Sequence, residues 1–545
     1  MLVLRSLFNQ TKASDRDSAQ PRLTRTHHNA VPWLCWAALC IVVVALLDHE
    51  RAPSTFFYDE WGFVQWRRGW SFDGFLQPHA GHFVAVPVLI YRTLFELVGL
   101  THYRAFRLVG IASHLAVATA VFAYVKHRTH VVLAGSAATA TALLGAGWQN
   151  IYFPFSLAQT LPLALGILAW TLVGRADRRG DAGAMTALLV AVMCNGVGVS
   201  MLVGTATRFA ARREWRRAAV VLAPATTVFA FWYLWYGHSA GSISNVPQVP
   251  RYAADMAAGG AGALFGRDLL WGRILLGVLV GAAGSRWRTL GRAAAPLGCL
   301  VGNMVLVAYN RVQMGDPTAS RYAYVMAVLL LLILADVLTN IRLPRVALPM
   351  GIALCTLSVW GNWAVLHRGA LGLRIDSSIA GMELRAVEWA KASVDERFEP
   401  DHHRMPFNFA GPYLRAVADL GSPAATEQEV LSAPDSTRQL VDQVSVGALA
   451  VFAEGDQLPI DVQMQCDTTS GRIELPLAVG QHLRVESITG TVEIRLRRIA
   501  DTFPADPSYT VSLGRLIDFA IPADNAPSQQ WTVQIDAESE FLICK

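Results

Sequence analysis

Charged side chains are scarce in this chain of 545 residues. Asp, Glu, Lys and Arg make up 16% of it and hydrophobic residues 53%, whereas soluble domains carry roughly 25% charged residues. This shortage excludes a soluble protein of ordinary composition. It is typical of a polytopic membrane protein that carries some soluble mass.

The sequence also lacks internal repeats, low-complexity tracts and the pattern of a removed signal peptide. The first 30 residues have no apolar core, and no small-residue cleavage site follows the first apolar run. We therefore expect an uncleaved first helix behind a cytoplasmic N-terminal segment, 1–30. The net charge of +5 is accounted for by basic loops, so it implies no nucleic-acid partner.

Long apolar runs are abundant. A bilayer core requires about 20 apolar residues per helix, and 184–206 reads as two short helices broken at Asn195–Gly196. With that pair, the sequence predicts eleven membrane helices. The other nine segments are 31–47, 104–125, 131–147, 157–173, 218–236, 269–284, 293–309, 322–340 and 346–365.

Basic loops predict the orientation, because short loops rich in Lys and Arg stay cytoplasmic. The loops expected inside hold fifteen Lys or Arg, and the short loops expected outside hold four. Residues 48–103 and those after about 366 are then outside a cytoplasmic membrane. The inside loops are 126–130, 174–183, 208–217, 285–292 and 341–345; the outside ones are 148–156, 237–268 and 310–321.

The polar tail has a different pattern. Residues 376–396 show helical spacing of apolar residues, and from about 447 apolar and polar residues alternate between turns. We expect a membrane domain over 31–365, a helical linker over 366–446 and a β-sandwich over 447–545. Carbohydrate binding is one hypothesis for that sandwich.

Only two of the seven cysteines lie in this tail, Cys466 and Cys544. A pair in a segment that faces an oxidising compartment predicts a disulfide. The other five lie in apolar segments, where small buried hydrophobes are the expected role. These are Cys35, Cys40, Cys194, Cys299 and Cys355.

Polar and aromatic residues gather on the predicted outer side. They lie in "FFYDEWGFVQW", "QPHAGHF", "GWQNIYFPF" and "NRVQMGDPTASRY". Charged groups at a bilayer edge are costly and are often functional. The site residues predicted from these stretches are Asp59, Glu60, His79, His82, Trp148, Arg311 and Arg321.

Transfer of a sugar from a lipid phosphate suits these residue types. A carboxylate takes the proton of the acceptor hydroxyl, and arginine stabilises the departing phosphate with a bidentate fork. Trp148 could present its ring to a sugar face, and Arg311 could be a second phosphate contact. His79 and His82 lack a third ligand, so no metal site is predicted.

The order and placement of these motifs resemble the GT-C superfamily of polytopic glycosyltransferases, which use polyprenyl-phosphate-linked sugars. The motifs are the Asp–Glu pair after the first helix, "PHAGH", "NGVG" and "SRY". By this resemblance Asp59 is the catalytic base, Glu60 and His82 position donor or acceptor, and Arg321 holds the lipid phosphate. The polyprenyl-phosphate sugar is then a donor substrate, and no cofactor is required.

The resemblance covers about 31–365 and implies a polytopic α-helical, GT-C-like fold with an extracytoplasmic α+β tail. Actinobacterial arabinosyl- and mannosyltransferases of this superfamily carry a similar tail, so arabinofuranose or mannose is the expected sugar and a cell-envelope glycan or glycolipid the expected acceptor. Two alternatives stay open. One is a transporter or flippase for a lipid-linked glycan, and the other is a non-catalytic glycan-binding envelope protein.

Each site residue also has a structural alternative. The Asp–Glu pair could be solvated surface, and both histidines could bond only to backbone. Arg311 and Arg321 could be anchors at helix ends, and Trp148 could belong to an aromatic belt.

Overall fold

The computed structural model describes residues 23–237, 241–339, 346–452, 464–528 and 530–545. The predicted segment 1–30 lies mostly outside these ranges, as do the basic loop 341–345 and residues 453–463 of the predicted β-sandwich. Residues 47–545 form one compact unit, and the chain up to Leu46 forms another.

The described part of the chain is mainly helical, as its composition predicts. In chain order its helices are α1 (Leu23–His49), α2 (Glu60–Trp66), α3 (Phe72–Leu76), α4 (Ala85–Val98), α5 (Arg104–Lys126), α6 (Val131–Ala142), α7 (Trp148–Tyr152), α8 (Leu157–Val173), α9 (Arg178–Val192), α10 (Gly196–Arg212), α11 (Trp215–Trp235), α12 (Val249–Ala263), α13 (Leu269–Gly284), α14 (Ala294–Arg311), α15 (Ser320–Val337), α16 (Ala347–Trp389), α17 (Ala410–Leu420), α18 (Glu427–Leu431) and α19 (Asp435–Ala448).

Seven membrane-spanning helices, rather than eleven, qualify by length and composition within the described residues. They include α1, α5, α8, α11, α14, α15 and α16, and an eighth span results if the bent pair Val131–Ala142 and Gly145–Tyr152 counts as one. Three further expected spans are present as the shorter helices α9, α10 and α13, of 15, 17 and 16 residues. At 1.5 Å per residue these are about 22 to 26 Å long, short of a hydrocarbon core of about 30 Å.

The break predicted at Asn195–Gly196 is confirmed. Helix α9 ends at Val192 and α10 begins at Gly196, with Asn195 as its cap. The Asn195 side chain accepts a hydrogen bond from the backbone N–H of Val197, 3.3 Å away, and so satisfies one of the donors that a new helix start leaves unpaired.

Helix α12 was not predicted, because its sequence falls in the segment 237–268 expected to be an outside loop. The helix is short and rich in Ala and Gly, so it does not stand out by hydropathy. Its small residues allow close packing against α15. A side chain at Gly260 would place its Cβ within 2.2 Å of Met326 on α15, so only glycine fits there. The Tyr252 hydroxyl also donates to the Asp316 carbonyl, at 3.1 Å.

Helix α16 joins two elements that were expected to be separate. The predicted membrane span 346–365 and the predicted amphipathic helix from 376 form one helix of 43 residues, about 65 Å long. The segment between them, "LHRGALGLRI", has no proline to interrupt the backbone hydrogen bonds. The polar helices that follow are therefore connected to the membrane span by one continuous helix.

The first long loop and the polar helices share one hydrophobic core. Phe56 and Trp61 from the loop are buried together with Val387 of α16, Tyr413 of α17 and Val441 of α19. The Trp61 and Tyr413 rings lie 5.8 Å apart, nearly perpendicular. This core fixes the Asp59–Glu60 segment to residues more than 300 positions away in the sequence.

The tail is the β-rich region that the sequence predicts, with six strands connected by hydrogen bonds in its described residues. Its order is β4-β3-β6-β2-β5, with β1 also on β6. β6 pairs with β1 along its length, while its other edge pairs with β3 at 532–536 and with β2 at 541–544. β6 is therefore long enough to pair with strands of both halves of the tail. The strands are β1 (Cys466–Ala478), β2 (His482–Ser487), β3 (Val492–Arg497), β4 (Tyr509–Val511), β5 (Leu516–Ala520) and β6 (Gln530–Cys544).

The predicted disulfide between Cys466 and Cys544 is present in the structure. It joins paired residues of β1 and β6 and closes a segment with a sequence separation of 78. Because cross-linking restricts the unfolded chain, Cys544→Ser is expected to lower the free energy of unfolding of the tail by up to about 4 kcal/mol. Thermal unfolding with and without reductant measures this loss.

Reductant should destabilise the wild-type protein and leave the Cys544→Ser protein unchanged, which makes the variant its own control. Mass spectrometry of unreduced peptides should find the cross-linked pair. Two free thiols in protein from an oxidising compartment would contradict both the bond and the outward placement of the tail.

Candidate active site

Asp59 lies at the start of a short helix in the loop after the first apolar helix. It is the cap residue of α2, but its side chain makes no capping hydrogen bond. An Asp at this position usually accepts a hydrogen bond from a backbone N–H of the first turn. The Asp59 carboxylate is thus free of the usual structural role and is left for another partner.

Two arginines act on this carboxylate from distant parts of the chain. Burial raises the pKa of Asp59 above its usual value, while the positive charges of Arg321 and Arg311 pull it down. A raised pKa makes a carboxylate a stronger base, and the neighbouring cations favour its ionised form. The combination suits a general base.

Glu60 points into the protein. Its side chain is fully buried, and it accepts hydrogen bonds from the hydroxyls of Tyr91 at 2.5 Å and Tyr103 at 2.7 Å and from the backbone N–H of Phe57 at 3.0 Å. Burial is the largest effect on it and raises its pKa to about 7. With both oxygens engaged in the core, Glu60 is placed to hold the loop that carries Asp59.

The "PHAGH" stretch forms a tight turn. The backbones of His79 and His82 exchange two hydrogen bonds, of 3.0 and 2.9 Å, and the two residues between them have positive φ. The Arg67 guanidinium secures the approach to this turn by donating to the carbonyls of Gln77 at 2.9 Å and Pro78 at 2.8 Å. The turn is therefore a fixed part of the site.

The two histidines differ in their surroundings. The His79 ring lies 5.1 Å from the rings of both Phe63 and Phe155, and burial lowers its pKa to about 3. His82 lies beside Gly196, and burial followed by the charge of Arg311 lowers its pKa to about 4. Both imidazoles are therefore neutral at physiological pH.

Arg311 connects the histidine turn to the end of α14. Its guanidinium donates to the Ala80 carbonyl at 2.8 Å and lies 3.5 Å from Nε2 of His82. This contact brings the end of a late helix onto the first loop. The same guanidinium is one of the two cations that lower the pKa of Asp59.

A cavity of about 310 Å³ lies between the α7 turn and the start of α15. The Ser320 hydroxyl accepts a hydrogen bond from the backbone N–H of Gln149, at 3.2 Å, and this contact joins its two walls. Gln149 Oε1 is buried and has no hydrogen-bond partner among the described residues. The cavity is lined by Trp148, Gln149, Met314, Asp316, Thr318, Ala319, Ser320, Arg321 and Tyr322.

The structure thus brings together most of the residues singled out in the sequence. Asp59 interacts electrostatically with Arg311 and Arg321, His82 is near Arg311, and Trp148 and Arg321 line one cavity. Glu60 is fully buried, and the partly buried His79 ring lies near Phe63 and Phe155. In the part of the chain that the structure describes, no group of three His, Cys, Asp or Glu side chains could hold a metal ion.

Sequence reasoning missed the residues that support the site. Arg67, Tyr91 and Tyr103 hold the loop from inside, and Gln149 presents a buried oxygen next to the cavity. A tyrosine pair 31 and 43 residues from Glu60 gives no pattern that could be recognised without the fold. For Gln149, the amide-rich stretch "GWQN" was the one feature of the sequence that could have indicated a site residue.

These features define a multi-pass membrane protein with a polar, cation-rich site at one end of its helices. No family model and no curated protein matches the chain. Two solved chains are similar to it, both crystal structures of ArnT from Cupriavidus metallidurans, one bound to undecaprenyl phosphate and one in the apo state. Each is 15% identical and covers 68% of this chain; the bound structure matches over 81% of its own length with a TM-score of 0.42, and the apo structure over 82% with 0.43.

At these scores the similarity is too low to assign an activity. The function is therefore inferred from the residues of this chain.

The buried carboxyl of Glu60 gives a testable dependence of stability on pH. Its folded pKa of about 7 exceeds the ordinary value, so the folded state binds the proton more tightly than the unfolded state does. Its favourable contribution is complete below the unfolded pKa and is lost as pH rises through about 7. We expect Glu60→Gln, which stays neutral, to gain stability relative to wild type as pH rises from 5 to 8.

Thermal unfolding of both proteins across this pH range measures the effect. Glu96→Gln is a suitable control, because the Glu96 side chain is exposed and bonds only to the Trp70 ring nitrogen among the described residues. A constant difference in Tm between wild type and Glu60→Gln at every pH would show that Glu60 does not titrate as a buried group.

Proposed function

We propose that this chain is an integral membrane glycosyltransferase that moves one sugar from a polyprenyl-phosphate donor to a glycan or glycolipid acceptor. The observation that carries the proposal is the placement of Asp59 under the combined influence of Arg311 and Arg321. A carboxylate within electrostatic reach of two arginines, at one end of a set of apolar helices, suits this transfer.

Asp59 acts as the general base. Its carboxylate takes the proton of the acceptor hydroxyl as that oxygen attacks the anomeric carbon of the donor sugar. The bond from this carbon to the phosphate oxygen breaks, and the electron pair leaves with the phosphate. Attack from the face opposite the leaving group inverts the anomeric centre.

Arg321 stabilises the departing phosphate, and Arg311 is a second contact. A guanidinium offers a planar fork that matches phosphate oxygens, and its effect is strongest where water is excluded. The Arg321 side chain lines the cavity, so the phosphate would lie there. The lipid tail would follow the apolar helix surfaces.

The remaining predicted residues take supporting roles. Trp148 lines the same cavity and offers a ring face to the donor sugar. His82 positions Arg311 against the "PHAGH" turn, and Glu60 and His79 hold the loop that carries Asp59 through buried contacts. By the basic-loop pattern the site and the tail face outside the cytoplasmic membrane, where arabinofuranose or mannose would be added to an envelope glycan.

The test uses purified protein with radiolabelled polyprenyl-phosphate mannose and polyprenyl-phosphate arabinose, each with short envelope glycans. We expect label in the glycan with one of the donors and release of unlabelled polyprenyl phosphate. The matched control is the Asp59→Asn protein. Movement of the labelled lipid across proteoliposomes without any transfer would indicate a flippase and overturn the proposal.

A further inference from the structure

The loop between α16 and α17 is fixed against the Asp59 segment. The backbone N–H of Tyr58 donates to the Arg404 carbonyl at 3.1 Å. Asn408 is fully buried and bonds to the Gln65 side chain, while Met405 is buried in the core that also holds Trp61. Residues of the polar tail therefore lie next to the proposed base.

Aromatic side chains on this loop and on the first loop are exposed despite that burial. Phe407 is 64% exposed and Tyr58 45%, and the His402 side chain is 64% exposed. The loop buries Met405 and Asn408 on either side of Phe407. The exposure of Phe407 is therefore not a property of the whole loop. We name the exposed rings of Tyr58, His402 and Phe407 the aromatic platform. The His402 and Phe407 rings are neighbours, and Tyr58 is attached to the same loop through its backbone.

Two members of the platform have an unfavourable backbone conformation. The φ angles are 49° at Tyr58 and 60° at Phe407, in the left-handed region that aromatic residues rarely adopt. Such conformations persist where surrounding contacts impose them, and they concentrate at functional sites. Here the Arg404 carbonyl holds Tyr58, and the Glu399 carboxylate accepts the backbone N–H of Phe407.

Glu399 also fixes the third ring. Its two oxygens both lie 3.2 Å from Nδ1 of His402, and the His402 and Phe407 rings are 5.9 Å apart in an edge-to-face arrangement. The platform is therefore preorganised, with a carboxylate and an imidazole beside aromatic faces. Preorganised groups lose less conformational entropy when they bind a ligand.

We propose that the aromatic platform binds the saccharide part of the acceptor. The face of an aromatic ring is its negative side, so it attracts the slightly positive C–H groups of a sugar ring, and Glu399 and His402 can bond to sugar hydroxyls. The loop that carries Phe407 is hydrogen-bonded to the backbone of Tyr58, the residue before Asp59, so a ligand on this loop is held next to the segment of the proposed base. This inference rests on the proposed function and deepens it, since it assigns the acceptor to a loop of the tail.

The decisive variant is Phe407→Gly. Glycine adopts positive φ without strain, so this change removes the ring and should not lower Tm. Loss of one aromatic contact should weaken binding of short mannose or arabinose oligosaccharides about three- to tenfold, as measured by equilibrium titration of the purified full chain. Phe407→Trp keeps a ring and should bind as wild type does.

Phe72→Ala is the matched control, because Phe72 is also an exposed aromatic residue of the first loop, 75% exposed. It should leave oligosaccharide binding unchanged. In the transfer assay, Phe407→Gly should raise KM for the acceptor and leave KM for the donor unchanged.

The two proposals fail in different ways. The aromatic platform would be overturned, whatever the transfer assay shows, if the wild-type protein bound no oligosaccharide or if Phe407→Gly bound it with wild-type affinity. It would also be overturned if Phe407→Trp lost as much affinity as Phe407→Gly does. A different result would overturn the proposed function alone. In that case the wild-type protein binds oligosaccharide, Phe407→Gly weakens this binding, and no sugar is transferred from either labelled donor; the platform would then stand as a glycan-binding site.

Discussion

Asp59→Asn is expected to abolish glycosyl transfer while leaving the protein folded. Loss of a positioned general base should lower the rate about a hundredfold to ten-thousandfold, and Asn keeps the shape of the side chain without accepting a proton. Because Asp59 makes no capping hydrogen bond and burial disfavours its charge, the neutral side chain should not lower Tm. Initial rates at saturating donor and acceptor, with thermal unfolding, measure both effects.

Asp73→Asn is the control for this variant. Asp73 lies in the same loop and is exposed, so its change should leave the rate unaltered. Transfer by the Asp59→Asn protein at close to the wild-type rate would refute the assigned mechanism, because no other carboxylate was predicted to take this proton.

Arg321→Ala is expected to impair use of the lipid donor. Removing a donor that stabilises charge in the transition state costs about a hundredfold to a thousandfold in rate, and the effect should appear in kcat/KM for the donor rather than in KM for the acceptor glycan. Arg321→Lys keeps the charge but loses the planar fork, so its defect should be smaller. Kinetics at varied donor and at varied acceptor separate these outcomes.

Arg321→Ala should also shift the dependence of transfer activity on pH. The charge of Arg321 lowers the pKa of Asp59, so its removal raises that pKa further. A base works only when deprotonated, and activity is lost as pH falls through its pKa. The acid limb of the Arg321→Ala profile is therefore expected at higher pH than that of wild type.

Arg251→Ala is the matched control, since Arg251 is an exposed arginine in another of the predicted outside loops. It should change neither the donor dependence nor the acid limb. An Arg321→Ala protein with wild-type donor dependence and an unmoved limb would mean that Arg321 is a helix-end anchor.

Much of the architecture followed from local patterns. The apolar runs predicted the long helices because a membrane span requires many consecutive apolar residues, and the Asn195–Gly196 pair within one such run predicted the break. Period-two alternation predicted most of the strands. The pairing of Cys466 with Cys544 needed only the count of cysteines in the tail.

Other features depended on pairing or packing between distant residues. Helix α12 is stabilised by small residues packed against α15, which hydropathy does not detect. The strand order of the tail arises because β6 pairs with different strands along its length. The span 346–365 and the helix after it fused, since nothing in the intervening sequence ends a helix.

The sequence by itself determined that this is a multi-pass membrane protein with a disulfide-linked β tail, and it indicated the residues of a cation-rich site. Only the tertiary structure decided how two adjacent carboxylates divide their roles. On a helix, successive side chains point about 100° apart, so Glu60 reaches Tyr91 and Tyr103 in the core while Asp59 interacts with Arg311 and Arg321. Those partners are far away in the sequence, and it is the packing of helices and loops that brings each of them to one carboxylate and not to the other.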